Sequence, residues 1–407
     1  MKRFFLLVLI LFFSCGVCFA AEGISFIYIN GSNNNDLKMK DWYENGVKNL
    51  HPYLKRGFEQ NPLSQKYFLK DGKYFINEKP VIFFWGDKSQ ADLKFVERNL
   101  ASSKSFSSWS AYQIRLALTK FLHDAIWVQK SYNMSKVTED LHESVKSEVQ
   151  KGNKVVLFGY SAGSFVTYEY LQTRLPFLNV ADFFNKVETT DDEKDFISKH
   201  SMKDTCMVAL GHSGLAVFSS TGHVVVNANP EVFKKNYMHL NEFTDSVCAP
   251  PGSVKGIVNF ASPLVLFYSD LSDPSFDITY YNKLLIKYII EKDMFWLTVN
   301  YRADPLGFPI GRNLSVEEME QAAKLNIDPH LGFIYDQSDT WGRNSALATH
   351  TSYWTTKRIF SKAVVKAYID GYRHQYDKEF QKRTLKKYAK EIPMPKISKP
   401  DALQNLP

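Results

Sequence analysis

Cysteine is scarce. The 407 residues hold four, and two of them, Cys15 and Cys18, fall within the first twenty positions. No Cys/His cluster has the spacing of a metal site, so neither a structural zinc nor a catalytic metal is expected. Long apolar runs are equally rare. After the uncharged stretch from Phe4 to Ala21 nothing of similar length recurs, so no later segment is expected to span a membrane. Internal repeats are absent, and no nucleic-acid reader module accompanies the basic residues. The formal charge of +7 is modest, and Lys2 and Arg3 supply two of it. Much of the remainder sits at Lys382, Arg383, Lys386, Lys387 and Lys390, which reads as a solvated helix face rather than a nucleic-acid site.

The chain has the composition of a globular protein, 44% hydrophobic and 23% charged, enough for a sizeable core. Its start has the three parts of a secretory signal over residues 1–20: Lys2-Arg3, an apolar run from Phe4 to Phe13, and the small-x-small site Cys18-Phe19-Ala20. Processing after Ala20 or Ala21 would leave a secreted or periplasmic protein. An uncleaved anchor and a lipid-modified Cys15 are the alternatives. Cys206 and Cys248 remain after processing, and two cysteines in an exported chain are expected to pair; two buried thiols are the alternative.

Read in order, residues 23–29 form an apolar strand that stops at Asn30-Gly31-Ser32, a turn cluster. Val47, Leu50, Leu54 and Phe58 recur at helical spacing over 40–58, and residues 81–85 are a second buried strand. Over 109–127, Ile114, Leu118, Phe121, Leu122 and Ala125 share a helical face. A further helix opens after Ser135 as N-cap and repeats Val137, Leu141, Val145 and Val149. Short all-apolar strands alternating with helices imply a mostly parallel sheet covered on both faces. The rhythm breaks over 177–255, which holds an acidic run, a β-rich patch and both retained cysteines. This stretch reads as an inserted cap or lid subdomain, too long for a structureless loop. Strands resume at 256–261 and 295–301, with a helix over 280–292 between them. A loop through His350 to Trp354 leads into a long helix from about 355 to 390, and residues 391–407 are a Pro/Lys-rich tail.

The most informative stretch is Val155-Val156-Leu157-Phe158-Gly159-Tyr160-Ser161-Ala162-Gly163. A buried strand runs into a serine with glycines two residues to either side, and small then apolar residues follow. This is the G-x-S-x-G pattern of a nucleophile elbow, where a sharp strand-to-helix turn leaves no room for Cβ atoms at Gly159 and Gly163.

With that elbow, the glycine turn at Gly31-Ser32, Asp304-Pro305 after a late strand and His350 before the final helix, the chain resembles the α/β-hydrolase superfamily in its lipase and carboxylesterase wing. The resemblance covers about 24–175 and 256–380, within a hydrolase domain of 21–390. It implies an exported serine hydrolase acting on carboxylic esters, with Ser161 as nucleophile, His350 as general base and Asp304 as its orienting acid. It also implies an oxyanion hole from the backbone N–H groups of Ala162 and Ser32, and no cofactor. The substrate would be a small-molecule or lipid ester, membrane-surface contact is allowed for, and neither the acyl chain length nor the oligomeric state follows. The chain departs from many esterases in placing Asn30, not histidine, before the turn glycine. Asp270, Asp273 and Asp277 are the competing acids. Gly211-His212-Ser213-Gly214 fails the elbow spacing, and His212, His223 and His239 lie in the insertion. His51, His123, His142 and His374 sit on expected helices, and Trp85 and Trp354 read as core. An acyltransferase using the same triad and a non-catalytic binding scaffold are the alternative functions.

Overall fold

The computed structural model describes residues 22–32, 37–102, 108–177, 206–209, 215–219, 222–226, 247–264, 285, 288, 289, 291–308, 334–340, 346–377 and 379. The signal segment, the acidic run, Asp270, Asp273, Asp277, the Gly211-to-Gly214 turn, His212, His239 and the basic tail lie outside them.

The chain opens on strand β1 (Glu22–Ile29), followed by helices α1 (Leu37–Glu59) and α2 (Pro62–Tyr67). Strands β2 (Tyr74–Ile76) and β3 (Val81–Phe83) come next, then helices α3 (Gln90–Ser102), α4 (Trp109–Gln129) and α5 (Ser131–Gln150). Strand β4 (Lys154–Tyr160) leads directly to helix α6 (Gly163–Arg174). A separate antiparallel sheet holds β5 (Cys206–Ala209), β6 (Leu215–Ser219) and β7 (Gly222–Val226). The main sheet resumes with β8 (Val254–Phe260), β9 (Phe295–Tyr301) and β10 (Ile334–Thr340), and helices α7 (Ala346–Ser352) and α8 (Lys357–Tyr376) close the described chain.

The main sheet has the order β10-β9-β8-β4-β1-β2, with β3 also pairing β1, and every described pair in it is parallel. A parallel sheet must be covered on both sides, and alternation along the strands sorts the side chains into two cores. Val155 and Leu157 of β4 join Ile27, Ile29, Ile257 and Trp296 beneath α5 and α6 residues such as Leu141, Val145 and Phe165. Val156, Phe158 and Tyr160 face the other way, with Phe26, Tyr28, Phe260 and Tyr301, against Val47, Leu50 and Leu54 of α1 and Val364 of α8. The fold class is α/β, as the alternation implies.

Four local expectations are corrected. Ser135 is not an N-cap: α5 begins at Ser131, straight after Lys130, and Ser135 lies inside it. Strand β3 stops at Phe83, because the Trp85 N–H turns away to the Asn30 side chain. Of the face assigned to α4, Ile114 is 61% exposed while Ala125 is buried, so the face does not lie uniformly in the core. Periodicity shows which residues share a face, not how far along a helix the core extends. His350 lies on helix α7 rather than in a loop.

The described ends of the 177–255 stretch lie close together. Ala249 N–H donates to Arg174 O at 2.8 Å, and Arg174 Nη1 donates to Val247 O. Cys206 and Cys248 stand at disulfide distance, with Cα atoms 5.7 Å apart. The chain therefore leaves and re-enters the main sheet at the end of α6.

Candidate active site

From β1 the chain winds to β2 and β3 on one side, then returns past β1 to β4 and moves outward through β8, β9 and β10. The winding reverses between β1 and β4, and in open α/β sheets ligands bind beyond the carboxyl ends of the strands at such a reversal. Four segments converge there: the turn after β1, the corner after β4, the loop after β9, and helix α7 following β10.

The corner after β4 is strained. Ser161 has φ 51°, in the left-handed region that costs a non-glycine residue about 1–2 kcal/mol. Glycine is required around it. A Cβ on Gly163 would lie 2.6 and 2.7 Å from the carbonyl oxygens of Ile29 and Asn30, and one on Gly31 would lie 2.7 Å from the Ser161 Cβ. Gly159 is crowded in the same way by Asn259 Oδ1 at 2.6 Å. The corner is tied down by Ser161 N–H, which donates to Phe260 O at 3.0 Å, and by Ser164 Oγ, which donates to Ser161 O at 2.6 Å.

The three residues that the sequence singles out, up to 189 positions apart, come together. His350 Nε2 lies 3.1 Å from Ser161 Oγ, and His350 Nδ1 lies 3.0 and 3.2 Å from Asp304 Oδ1 and Oδ2. A carboxylate only accepts, so Nδ1 carries the proton and Nε2 is left as the acceptor for the serine hydroxyl. The Asp304 side chain is fully buried, and donors compensate its charge: Leu306 N–H reaches Oδ1 at 2.9 Å, and Tyr353 O–H reaches Oδ2 at 2.8 Å. The loop carrying it is clamped by Asn300, whose Nδ2 donates to Phe308 O and whose Oδ1 accepts from Ser262 N–H.

His350 is held from behind. Tyr160 O–H donates to the His350 carbonyl at 3.0 Å, and the two rings stack with centroids 5.6 Å apart. Burial first, and then the Asp304 charge, push the Tyr160 and Tyr353 phenols far above their usual range, so both stay protonated. Neither tyrosine is singled out by the sequence pattern. Tyr160 could have been found by alternation, since it shares a face with Val156 and Phe158; nothing local marks Tyr353.

The turn after β1 is fixed by a side chain that the sequence showed only as a departure. Asn30 is fully buried. Its Oδ1 accepts the Trp85 N–H at 2.7 Å, its carbonyl accepts Trp85 Nε1–H at 2.7 Å, and its Nδ2 donates to Gly31 O at 2.9 Å. Holding the Gly31 carbonyl fixes the next peptide plane, so the Ser32 N–H, trans to that carbonyl, points the opposite way. Ala162 precedes the first residue of α6, where backbone N–H groups have no partner within the helix.

Three further histidines have partners outside this line. His51 Nδ1 meets Tyr28 Oη at 3.1 Å and its Nε2 meets Asn77 O at 2.8 Å, and burial lowers its pKa. His142 Nδ1 lies 2.9 Å from Tyr170 Oη, and His123 lies beside Asp124. Trp85 and Trp354 are core, as expected. A cleft of about 490 Å³ lined by Phe95, Val96, Leu122, Ile126 and Trp127 of α3 and α4 includes none of the site residues. Among the described residues, no group of three or more His, Cys, Asp or Glu is arranged to hold a metal, and no helix is long and apolar enough to cross a membrane. No protein-family profile, curated protein or solved structure matches the chain.

Proposed function

We propose that this chain is an exported serine hydrolase of the α/β-hydrolase type that cleaves carboxylic esters through an acyl-enzyme. The observation that carries the reading is the continuous hydrogen-bonded line Ser161–His350–Asp304, with its serine on a left-handed strand-to-helix corner. The chain order Ser, Asp, His and the position at the winding reversal between β1 and β4 support the same fold type.

In this mechanism Ser161 Oγ attacks the ester carbonyl carbon as His350 Nε2 removes its proton. The negative charge that develops on the carbonyl oxygen is met by the N–H groups of Ala162 and Ser32, the second aimed by the Asn30 clamp. His350 then protonates the departing alkoxide, and the alcohol leaves an acyl group on Ser161. Water, deprotonated by the same imidazole, attacks the acyl carbon and releases the acid. Asp304 keeps the imidazole in its working tautomer and balances the positive charge it carries at each transfer. This chemistry requires no cofactor.

The insertion between α6 and β8 is assigned the role of a cap that sets substrate specificity, because its described ends lie close together within one helix of Ser161. Export is supported by the signal-like start and by Cys206 and Cys248 at disulfide distance. The direct test is turnover of a chain-length series of p-nitrophenyl esters by the chain starting at Ala21, beside Ser161→Ala and His350→Ala. The reading expects hydrolysis by the parent and loss of activity by several orders of magnitude in both variants. Equal turnover by Ser161→Ala, or none by the parent across the series, would sink it.

A further inference from the structure

We infer that Tyr353 is a positioning residue of the triad: a buried phenol that fixes the Asp304 carboxylate and reduces the charge it presents to His350. The inference rests on the hydrolase reading above.

The hydrogen-bond directions are determined by counting. Tyr301 N–H, at the end of β9, donates to the Tyr353 phenol oxygen at 2.8 Å. The one phenolic hydrogen is therefore free to go to the acceptor on the other side, Asp304 Oδ2, also at 2.8 Å. Leu306 N–H holds Oδ1, so the two carboxylate oxygens are gripped by different donors and the carboxylate plane cannot rotate without breaking one of them. Tyr353 itself is immobilised: it is fully buried, its ring stacks on Tyr301 at 4.2 Å with planes 4° apart, and it meets Phe360 edge-on at 5.4 Å.

The placement is economical. His350 is on α7 and Tyr353 follows that helix by one residue, so the base and the clamp of its acid ride on one short segment. A residue serving only as core would be filled equally well by phenylalanine, whereas here a hydroxyl is buried and both of its hydrogen bonds are made within the acid site.

Donation from a phenol draws charge from the carboxylate, and less charge remains to favour the protonated imidazole. Among the described residues, Tyr160 from β4 stacks on His350 and feels the Asp304 charge, Tyr353 donates to Asp304, Tyr301 from β9 stacks behind Tyr353, and Arg302 is exposed on the turn after β9. Burial raises all three phenols, Tyr301 to about 12, so none changes charge across the acid limb of a pH–rate profile.

The test compares the full chain with Tyr353→Phe and with 3-fluorotyrosine placed at 353, a more acidic and stronger donor of almost the same shape. For Tyr353→Phe the expected result is a kcat about tenfold lower, KM within about twofold, and the acid limb of kcat/KM displaced upward by about half a pH unit. For 3-fluorotyrosine the limb moves the other way. Should the phenylalanine variant fail to fold, the fluorinated chain alone decides. A limb that stays in place, or that moves in the same direction in both, overturns the inference while leaving the hydrolase reading intact. A parent chain that neither turns over esters nor labels at Ser161 with a fluorophosphonate overturns both.

Discussion

At the amino ends of the strands, Ser25 of β1 donates its proton directly to Glu148, Asn77 Nδ2 donates to the same serine oxygen at 2.6 Å, and His51 reaches no further than the Asn77 carbonyl. At the carboxyl ends, Ser161 meets an imidazole, and the imidazole meets Asp304. One sheet thus carries two clusters of serine, histidine and buried carboxylate, and the order of the bonds separates them. Ser25 lies within a strand, with its hydroxyl committed to an acceptor-only group. Lys151 and Asn153 also donate to Glu148, at 2.6 and 2.8 Å. Burial works to raise that carboxyl's pKa, but the hydrogen bonds from Lys151, Ser25 and Asn153 prevail and hold it below its usual 4.5. A carboxylate so satisfied is a weak base. Ser161 instead sits on a strained corner at the start of a helix, and its hydroxyl meets an imidazole whose other nitrogen meets Asp304. Residue types alone do not set the order of such bonds.

The comparison is broken most forcefully by exchanging the serines. Ser161→Ala is expected to lower kcat by about 10⁴-fold or more, and Ser25→Ala to leave kcat within about twofold while costing about 1 kcal/mol in a urea melt. The carboxylates should divide in the same way. Asp304→Asn is expected to cost about 10³- to 10⁴-fold in kcat, because the amide favours the wrong imidazole tautomer. Glu148→Gln should spare kcat and lower stability by about 1–3 kcal/mol. Asn30→Ala, which removes the Nδ2 bond to the Gly31 carbonyl, should reduce kcat about tenfold or more with little change in KM, since the proposed oxyanion donor is used in the transition state.

The smallest effect is in pH dependence. The folded-state pKa of Glu148 is depressed, so its contribution is present above about pH 4.5 and is lost as pH falls through the folded value. The melting temperature of the parent should therefore drop below pH 4.5 more steeply than that of Glu148→Gln. Parallel curves would show that Glu148 is not the linked group.

Much of this was legible in the chain. The parallel sheet followed from all-apolar runs such as residues 155–158, and Ser161, Asp304 and His350 were singled out by a glycine pattern, a strand end and a place before the final helix. What escaped depends on distant partners. Strand β2 is three residues long and exists because it pairs with Glu22 to Ile24 of β1. Helix α3 carries Leu93, Val96 and Leu100 at helical spacing, yet only Leu93 of the three is buried. Tyr353 looks like any aromatic beside a tryptophan, and its role emerges only when β9 brings Tyr301 N–H and Asp304 to its hydroxyl. Asn30 read as a missing histidine until Trp85 closed on it from 55 residues away.

The most direct test of the central claim is peptide mapping after reaction of the native chain with a fluorophosphonate. The account expects one adduct, on the peptide containing Ser161, lost in Ser161→Ala and in the heat-unfolded chain. No adduct, or an adduct on Ser25 or another serine that persists in Ser161→Ala, would contradict it.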